Sequence, residues 1–265
     1  FFAQRGVLEV ETPILSAAGT TEPHLHSFTT EYRGPGAPPQ GQLYLHTSPE
    51  FPMKRLLAAG SGPIYQIAKV FRDGESGRRH NPEFTLLEWY RPGFDHHALM
   101  DELDELLQAV ANEDPPDVAE RLTYRGAFLR YAGIDPFAPW EMLKDHAAAY
   151  APPDSSAETA VDYWRDLILV HEVEPQLGRD RPCFVYHYPA TQASLARLDP
   201  DDPSVAQRFE LYWRGMELAN GFNELADAQE QARRFAADTQ RRAALGLAPV
   251  AADARLLAAL AHGLP

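Results

Sequence analysis

The chain has 265 residues, 45% hydrophobic and 23% charged, the balance of a folded globular protein rather than a disordered one, and a length for one large domain or two small ones. Its 38 Asp and Glu outnumber 24 Lys and Arg, and the net charge of −14 argues against a general binder of nucleic-acid backbone. Cys183 is the only cysteine, which excludes a disulfide scaffold and a cysteine-rich zinc site and leads to the expectation of a cytoplasmic setting; no apolar run approaches the roughly 20 residues of a membrane span, and no signal pattern opens the chain.

Phe1 to Gln4 reads as the end of a helix closed by Gly6, and Val7 to Val10 as a half-buried strand ended by Thr12-Pro13. Tyr32 to Gly41, rich in Gly and Pro, predicts a loop, and Tyr44 to His46 a short strand. Pro49 fits the first turn of a helix with Met53, Leu56 and Leu57 on its apolar face and Gly60 at its end. Strands at Ile64 to Phe71 and Phe84 to Tyr90, joined through the polar loop Gly74 to Asn81, predict an antiparallel hairpin with a long tip. Asp95 can cap a helix from about Ala98 to Asn112, with Leu99, Leu103, Leu106, Leu107 and Val110 on one face, before a proline-rich break at Glu113 to Asp117. Helices are expected around Tyr124 to Tyr131, Trp140 to Tyr150 and Ala157 to Val170, a helical insertion at about 95–180. Strands return at Cys183 to His187 and Phe209 to Asn220, followed by a helix from Asp227 to about Leu245 and another over Arg255 to His262. No regular βαβ alternation is present, so the expected class is α+β with a mainly antiparallel sheet flanked by helices. The start at Phe1 and the stop at Pro265 lead to the expectation that both ends are cut.

Three segments carry candidate chemistry. The stretch Phe71 to Phe84 gathers Arg72, Arg78, Arg79 and His80 in a glycine-containing loop, which suits a polyphosphate, with Phe84 as a flat face for a base; a solvated basic loop is an equal reading. Glu217 and Glu224 bracket the turn-forming pair Asn220-Gly221 and could share a divalent ion if the turn folds back; a plain hairpin with two exposed acids competes. Ser48-Pro49-Glu50 at a helix start is either a cap or a carboxylate reading an amine, and Tyr90 is either a substrate contact or a structural hydrogen bond. His24, His26, His96 and His97 lack a Cys/His zinc framework and read as loop or surface histidines, and neither a Rossmann nor a P-loop fingerprint is present.

In order, these segments resemble class II aminoacyl-tRNA synthetases of the lysyl type. Arg5-Gly6-Val7-Leu8-Glu9-Val10-Glu11-Thr12-Pro13 resembles motif 1. Phe71-Arg72 through Arg79-His80-Asn81-Pro82-Glu83-Phe84 resembles motif 2, and Glu217 to Glu224 resembles the metal-binding strand before motif 3. Thr47-Ser48-Pro49-Glu50, Leu87-Glu88-Trp89-Tyr90-Arg91-Pro92, Tyr188 to Ala196 and Glu217 to Phe222 are more similar to a shortened, protein-modifying branch of that family than to a true lysyl-tRNA synthetase. No anticodon-binding OB-fold is visible before motif 1.

The resemblance implies a single catalytic domain over 1–265 with motif 3 missing after His262-Gly263-Leu264-Pro265, and a homodimer with Phe1 to Pro13 near the partner. It implies an ATP- and Mg²⁺-dependent ligase that activates lysine or (R)-β-lysine as an adenylate and acylates a lysine ε-amino group of elongation factor P, with tRNA not the acceptor. Carried over residue by residue, Arg72 would hold the α-phosphate and the substrate carboxylate. Asp73, Gly74, Glu75, His80 and Asn81 would contact ATP, and Phe84 would stack on adenine. Glu217 and Glu224 would bind Mg²⁺ and nucleotide, with Glu224 also near the substrate, and Leu218 would offer its backbone to ATP. Ser48, Pro49, Glu50 and Tyr90 would line the amino-acid pocket. Two positions depart from the family: Gly74 stands where an acid is usual, with Glu75 next, and Ala226 stands where a lysyl-tRNA synthetase has Asn, which argues against ordinary lysine as the best substrate. A lysyl-tRNA synthetase catalytic domain and a catalytically silent paralogue are the alternatives.

Overall fold

Period-2 and 3.6-residue apolar patterns become ten strands and seven α-helices among the residues described in this computed structural model, 1–38, 41–111, 116–152 and 160–265. In chain order these are β1 (Leu8–Glu9), β2 (Leu15–Ser16), β3 (Thr29–Glu31), β4 (Gln42–Leu45), α1 (Glu50–Ala58), β5 (Ile64–Phe71), β6 (Glu83–Tyr90), α2 (His96–Ala111), β7 (Glu120–Thr123), α3 (Tyr124–Tyr131), α4 (Trp140–Ala147), α5 (Val161–Ile168), β8 (Cys183–Pro189), β9 (Val205–Trp213), β10 (Met216–Phe222), α6 (Ala228–Ala244) and α7 (Ala254–His262). Five of the seven strand pairings are antiparallel, so the α+β expectation holds. The chain divides into two units, 1–93 with 226–265, and 94–225.

In the first unit, alternation along β5 turns Ile64, Gln66, Ala68 and Val70 inward. β5 pairs antiparallel with β6 from Ile64↔Tyr90 to Phe71↔Glu83, the expected hairpin, and parallel with β1 at Leu8↔Ile64. β2, β4 and β3 form a second small sheet, joined to the end of β5 by the Phe71 N–H donating to the His46 carbonyl (3.0 Å). Met53 and Leu57 of α1 pack with Ile64 and Tyr90, and Val10, Leu56 and Leu264 close over them. α7 is held on α1 by an Arg55–Asp253 ion pair of 2.8 Å, while the same Asp253 carboxylate caps α7 by accepting from the Arg255 and Leu256 N–H groups.

The second unit has a four-stranded sheet in the order β10-β9-β8-β7. Tyr124, Phe128, Leu143, Trp164 and Ile168 from α3, α4 and α5 pack against Cys183, Val185, Tyr188 and Tyr212. Burying each large side chain of this kind contributes about 1.5–3 kcal/mol. α2 packs along β9 and β10, and its start is capped as expected, with the Ala98 N–H donating to Asp95 Oδ1 (2.8 Å). No helix among the described residues is long and apolar enough to cross a membrane.

Several expected elements are redrawn. Phe209 to Asn220 is not one strand: β9 and β10 meet at a two-residue turn, Arg214-Gly215, both with positive φ (+53° and +71°), the backbone of a type I′ hairpin. Asn220-Gly221 is therefore no turn, and lies inside β10 opposite Glu210 and Phe209. α2 begins at His96, its buried apolar residues are Met100, Leu103 and Leu106, and Val110 is exposed. Pro49 stands just before α1 as its N-cap. α5 passes into a wider π turn at Leu169–Val173. Pro39 and Gln40 of the expected loop, Asn112 to Pro115 at the expected helix end and break, and Ala157 to Thr159 of the expected helix lie outside the described residues.

Candidate active site

The hairpin loop after β5 is built by the ladder that precedes it. The Arg72 N–H donates to the Pro82 carbonyl (2.9 Å), and the Asp73 N–H donates to the His26 carbonyl (2.8 Å). The loop tip closes where the Gly77 N–H meets the His80 carbonyl (3.0 Å), leaving Asp73, Gly74, Arg78, Arg79, His80 and Asn81 exposed. Arg72 points back over its own hairpin. Its guanidinium lies 5.0 Å from the centre of the Phe84 ring, its Nη1 is 3.8 Å from Glu75 Oε1, and its Nε donates to the Thr47 carbonyl at 3.4 Å. The structure thus brings Arg72, Glu75 and Phe84 together, beside the segment that leads into Ser48-Pro49-Glu50. Gly74 has φ +83°, a left-handed conformation that a side chain strains, and it is Glu75 that faces the arginine.

At the start of α1, Ser48 Oγ accepts from the Glu50 N–H (3.2 Å). The Glu50 carboxylate meets Lys54, one turn on, at 2.5 Å; Lys54 is 1% exposed. The cation that Glu50 faces in this structure is therefore the chain's own. Tyr90 is buried among Met53, Leu57 and Ile64, and its hydroxyl donates to Glu88 (2.7 Å).

In the second unit, Glu217 pairs with Tyr212 and Ala219 with Leu211, so Leu218 is an extra residue in β10. On a plain strand, residues seven apart point to opposite faces; one inserted residue restores the parity. Glu217, Asn220 and Phe222 thus share a face with Arg208, Glu210 and Tyr212 of β9; Glu224, two residues past the end of β10 and so of the same parity as Phe222, is bridged antiparallel to Ala196. Leu218 is 43% exposed at the irregularity. On this face the buried Glu210 carboxylate accepts from Tyr188 (2.6 Å), from Tyr212, and from Arg208 Nη2 (2.5 Å), and Arg208 Nε donates to Asn220 Oδ1 (3.0 Å). Burial works against the Arg208 charge, but Glu210, Tyr188 and Glu217 outweigh it and raise its pKa. Burial, and then Glu210, push the Tyr188 and Tyr212 hydroxyls well above the ordinary tyrosine range. Sequence reasoning missed this network. Its signal was Arg208, Glu210 and Tyr212 at every second position of a strand whose other residues, Gln207 apart, are apolar.

The histidines divide. His24 and His26 are not buried, and His97 is exposed, as expected. His96 is not a surface residue. It is buried at the start of α2, 3.2 Å from His187 (Nε2 to Nε2), and burial, with His97 and His187 nearby, lowers its pKa to about 4.

The arginine hairpin belongs to the first unit and the carboxylate-bearing strand to the second, each on an α+β frame. The family tRNA synthetases class II (D, K and N) matches residues 1–265, and the chain belongs to it. Within that class the chain is 54% identical to the elongation factor P–(R)-β-lysine ligase of Pseudoalteromonas translucida (strain TAC 125), over 100% of the chain and 81% of that protein. It is 53% identical to the protein of the same name from Vibrio vulnificus (strain YJ016), over 100% of the chain and 82% of the relative, and 52% identical to that of Edwardsiella ictaluri (strain 93-146), over 100% and 81%.

Proposed function

We propose that the chain is an ATP-dependent ligase that activates (R)-β-lysine as an aminoacyl-adenylate and transfers it to a lysine ε-amino group of elongation factor P. The observation that carries this reading is identity of 52–54% along the whole chain to ligases of that name, within the class II family. In the first step a carboxylate oxygen of the amino acid attacks the α-phosphorus of ATP and pyrophosphate leaves. In the second, the acceptor amine attacks the adenylate carbonyl and AMP leaves.

Such chemistry asks for positioning and charge neutralisation and needs no covalent enzyme nucleophile. Arg72 is assigned to the α-phosphate and the substrate carboxylate, because its guanidinium is already oriented by Thr47, Glu75 and Phe84. Glu75 is assigned the acidic role of the hairpin in place of Gly74. Asp73, His80 and Asn81 line the loop for ATP, and Phe84 offers its ring to adenine. Ser48, Pro49, Glu50 and Tyr90 are assigned to the amino acid. Glu217 and Glu224, two carboxylates on one face, fit Mg²⁺, a cation that takes oxygen ligands and would neutralise polyphosphate charge when bound. Leu218 would meet ATP through its backbone. A homodimer is part of the proposal, supported by the exposed apolar side chains of Leu8, Ile14 and Leu15 around the motif 1 segment. A cytoplasmic location goes with an elongation-factor acceptor.

The test is ATP–pyrophosphate exchange with (R)-β-lysine and with lysine, followed by transfer to elongation factor P and to tRNA offered side by side. Exchange favouring (R)-β-lysine and label on elongation factor P are expected. Label on tRNA alone, or no exchange with either amino acid, refutes the reading. Glu217→Gln is expected to slow exchange by about 100-fold or more, and an unchanged rate would remove its metal assignment.

A further inference from the structure

Three imidazoles converge in the second unit, on none of the residues assigned to the ligase reaction. His96 and His97 are the first two residues of α2, and His187 projects from β8. The His96 and His187 Nε2 atoms are 3.2 Å apart, and the rings of His96 and His97 are centred 4.1 Å apart. Each of the three histidines offers one ring nitrogen to a set whose members lie within 4.8 Å of one another. Two Zn–N bonds of about 2.0–2.1 Å at a tetrahedral angle hold their nitrogens about 3.3–3.4 Å apart, close to the 3.2 Å between His96 and His187.

The fold goes out of its way to bring His187 there. The β8–β9 register shifts between Tyr186 and Tyr188, and His187 has φ +61°. A bulge of this kind re-aims a side chain that would otherwise follow the alternation of the strand. Asp199 Oδ2 lies 3.6 Å from His187 Nε2, and the Asp199 carboxylate is fixed by the Asp201 and Asp202 N–H groups and the Gln207 side-chain amide. A hydrogen bond between two imidazoles accounts for one contact only. It does not explain the third ring.

We infer that His96, His97 and His187 form a binding site for a divalent transition metal of the zinc class, with Asp199 supplying the compensating negative charge at its edge. Imidazole donors select Zn²⁺ or Co²⁺ over Mg²⁺, which takes oxygen. The ion would tie the start of α2 to β8, and by binding the folded chain alone would stabilise it. The exposed edge of His97 gives it a way in.

The probe is Co²⁺, added to the untagged chain in excess Mg²⁺ so that carboxylate sites are filled. One Co²⁺ per chain is expected, with the visible absorption of a four-coordinate ion, displaced by one equivalent of Zn²⁺, and Zn²⁺ is expected to raise the thermal midpoint. His97→Ala, at an exposed position that leaves the fold intact by circular dichroism, is expected to weaken Co²⁺ binding by about 100-fold or more. Asp199→Asn is expected to weaken it by about 10- to 100-fold, the usual cost of losing an outer partner. His96→Ala is a further check where it folds. No Co²⁺ bound at a hundred-micromolar concentration, or binding by His97→Ala equal to the parent, overturns the site.

Discussion

Gly221 sits in β10 between the two candidate metal carboxylates, and it is there because no larger residue fits. A methyl group on its Cα would lie 2.4, 2.9 and 3.0 Å from three carbons of the Phe209 ring, directly across the ladder. Carbon atoms pack at about 3.5–4.0 Å, so the ring must retreat by roughly 1 Å. It has little room. Phe209 is 2% exposed, and its ring meets the edge of Phe184 with centroids 5.5 Å apart. Overpacking of this kind costs about 1–3 kcal/mol, and three contacts at or below 3.0 Å against a pinned ring place Gly221→Ala in the upper half, about 2–3 kcal/mol. For a chain of this size that is a fall in thermal midpoint of roughly 4–12 °C. Shortening the partner should relieve the clash: Gly221→Ala with Phe209→Leu is expected to lose at least about 1 kcal/mol less than the two single losses combined. Scanning calorimetry on the four proteins of the cycle measures both quantities. A midpoint for Gly221→Ala within 1 °C of the parent, or strict additivity in the double variant, would refute the argument that Phe209 excludes a side chain at this position.

Burial, then the Glu120 charge, push the Cys183 thiol up to about 12, so iodoacetamide should leave the folded chain unmodified and alkylate it in urea; rapid labelling of the native protein would contradict its burial. Backbone N–H groups of Glu230 and Gln229 hold the Asp227 carboxyl below the usual range, and Arg234 and Arg233 do the same for Glu230, so their contribution at the start of α6 is present above the ordinary carboxylate range and is lost as pH falls through the lowered folded values. Thermal midpoints taken from about pH 6 to about pH 3 should fall more gently for Asp227→Asn than for the parent. Asp253→Ala should cost about 1–2 kcal/mol by removing the α7 cap and the partner of Arg55, whereas Asp253→Asn should retain part of the capping; equal losses would show that the ion pair alone matters. Leu218→Ala should leave exchange near the parent rate, because the side chain is exposed and only the backbone is assigned to ATP, while deleting Leu218 should put Glu217 and Glu224 on opposite faces and cost exchange as heavily as Glu217→Gln; exchange near the parent rate in the deletion would refute the parity argument.

The hairpin of β5 and β6 was legible to within one residue because each strand has its own alternation and the loop between them is polar. The Asp95 cap of α2 and the helix after Asp227 were legible because a carboxylate at an N-cap is a local signal. Non-local pairing was not legible. Nothing in Tyr186-His187-Tyr188 announces a register shift, and nothing in His96-His97 announces burial, since both depend on which strand and helix lie opposite. The same limit applies to Glu50. A glutamate in a first turn does not reveal that Lys54, one turn on, is buried beside it.

The spacing of Glu217 and Glu224 is the instructive case. Seven is an odd number, and on a regular strand an odd number separates two side chains onto opposite faces, so the sequence could be read as useful only if the chain turned back between them, and Asn220-Gly221 offered the turn. The chain turns instead at Arg214-Gly215, whose positive φ values are ordinary for glycine but must be imposed on arginine by the hairpin. That earlier turn keeps Asn220-Gly221 in the ladder, where Gly221 serves the packing of Phe209 and Asn220 receives Arg208. Parity is then restored by one residue, Leu218, which is extra to the pairing. An irregularity in the strand thus does the work that a turn was expected to do, while the pairing with β9 resumes beyond it and runs to Phe222, two residues before Glu224. A pair of acids at odd spacing, flanking a glycine that a strand needs for packing, is therefore better read as a bulged strand with one charged face than as a loop.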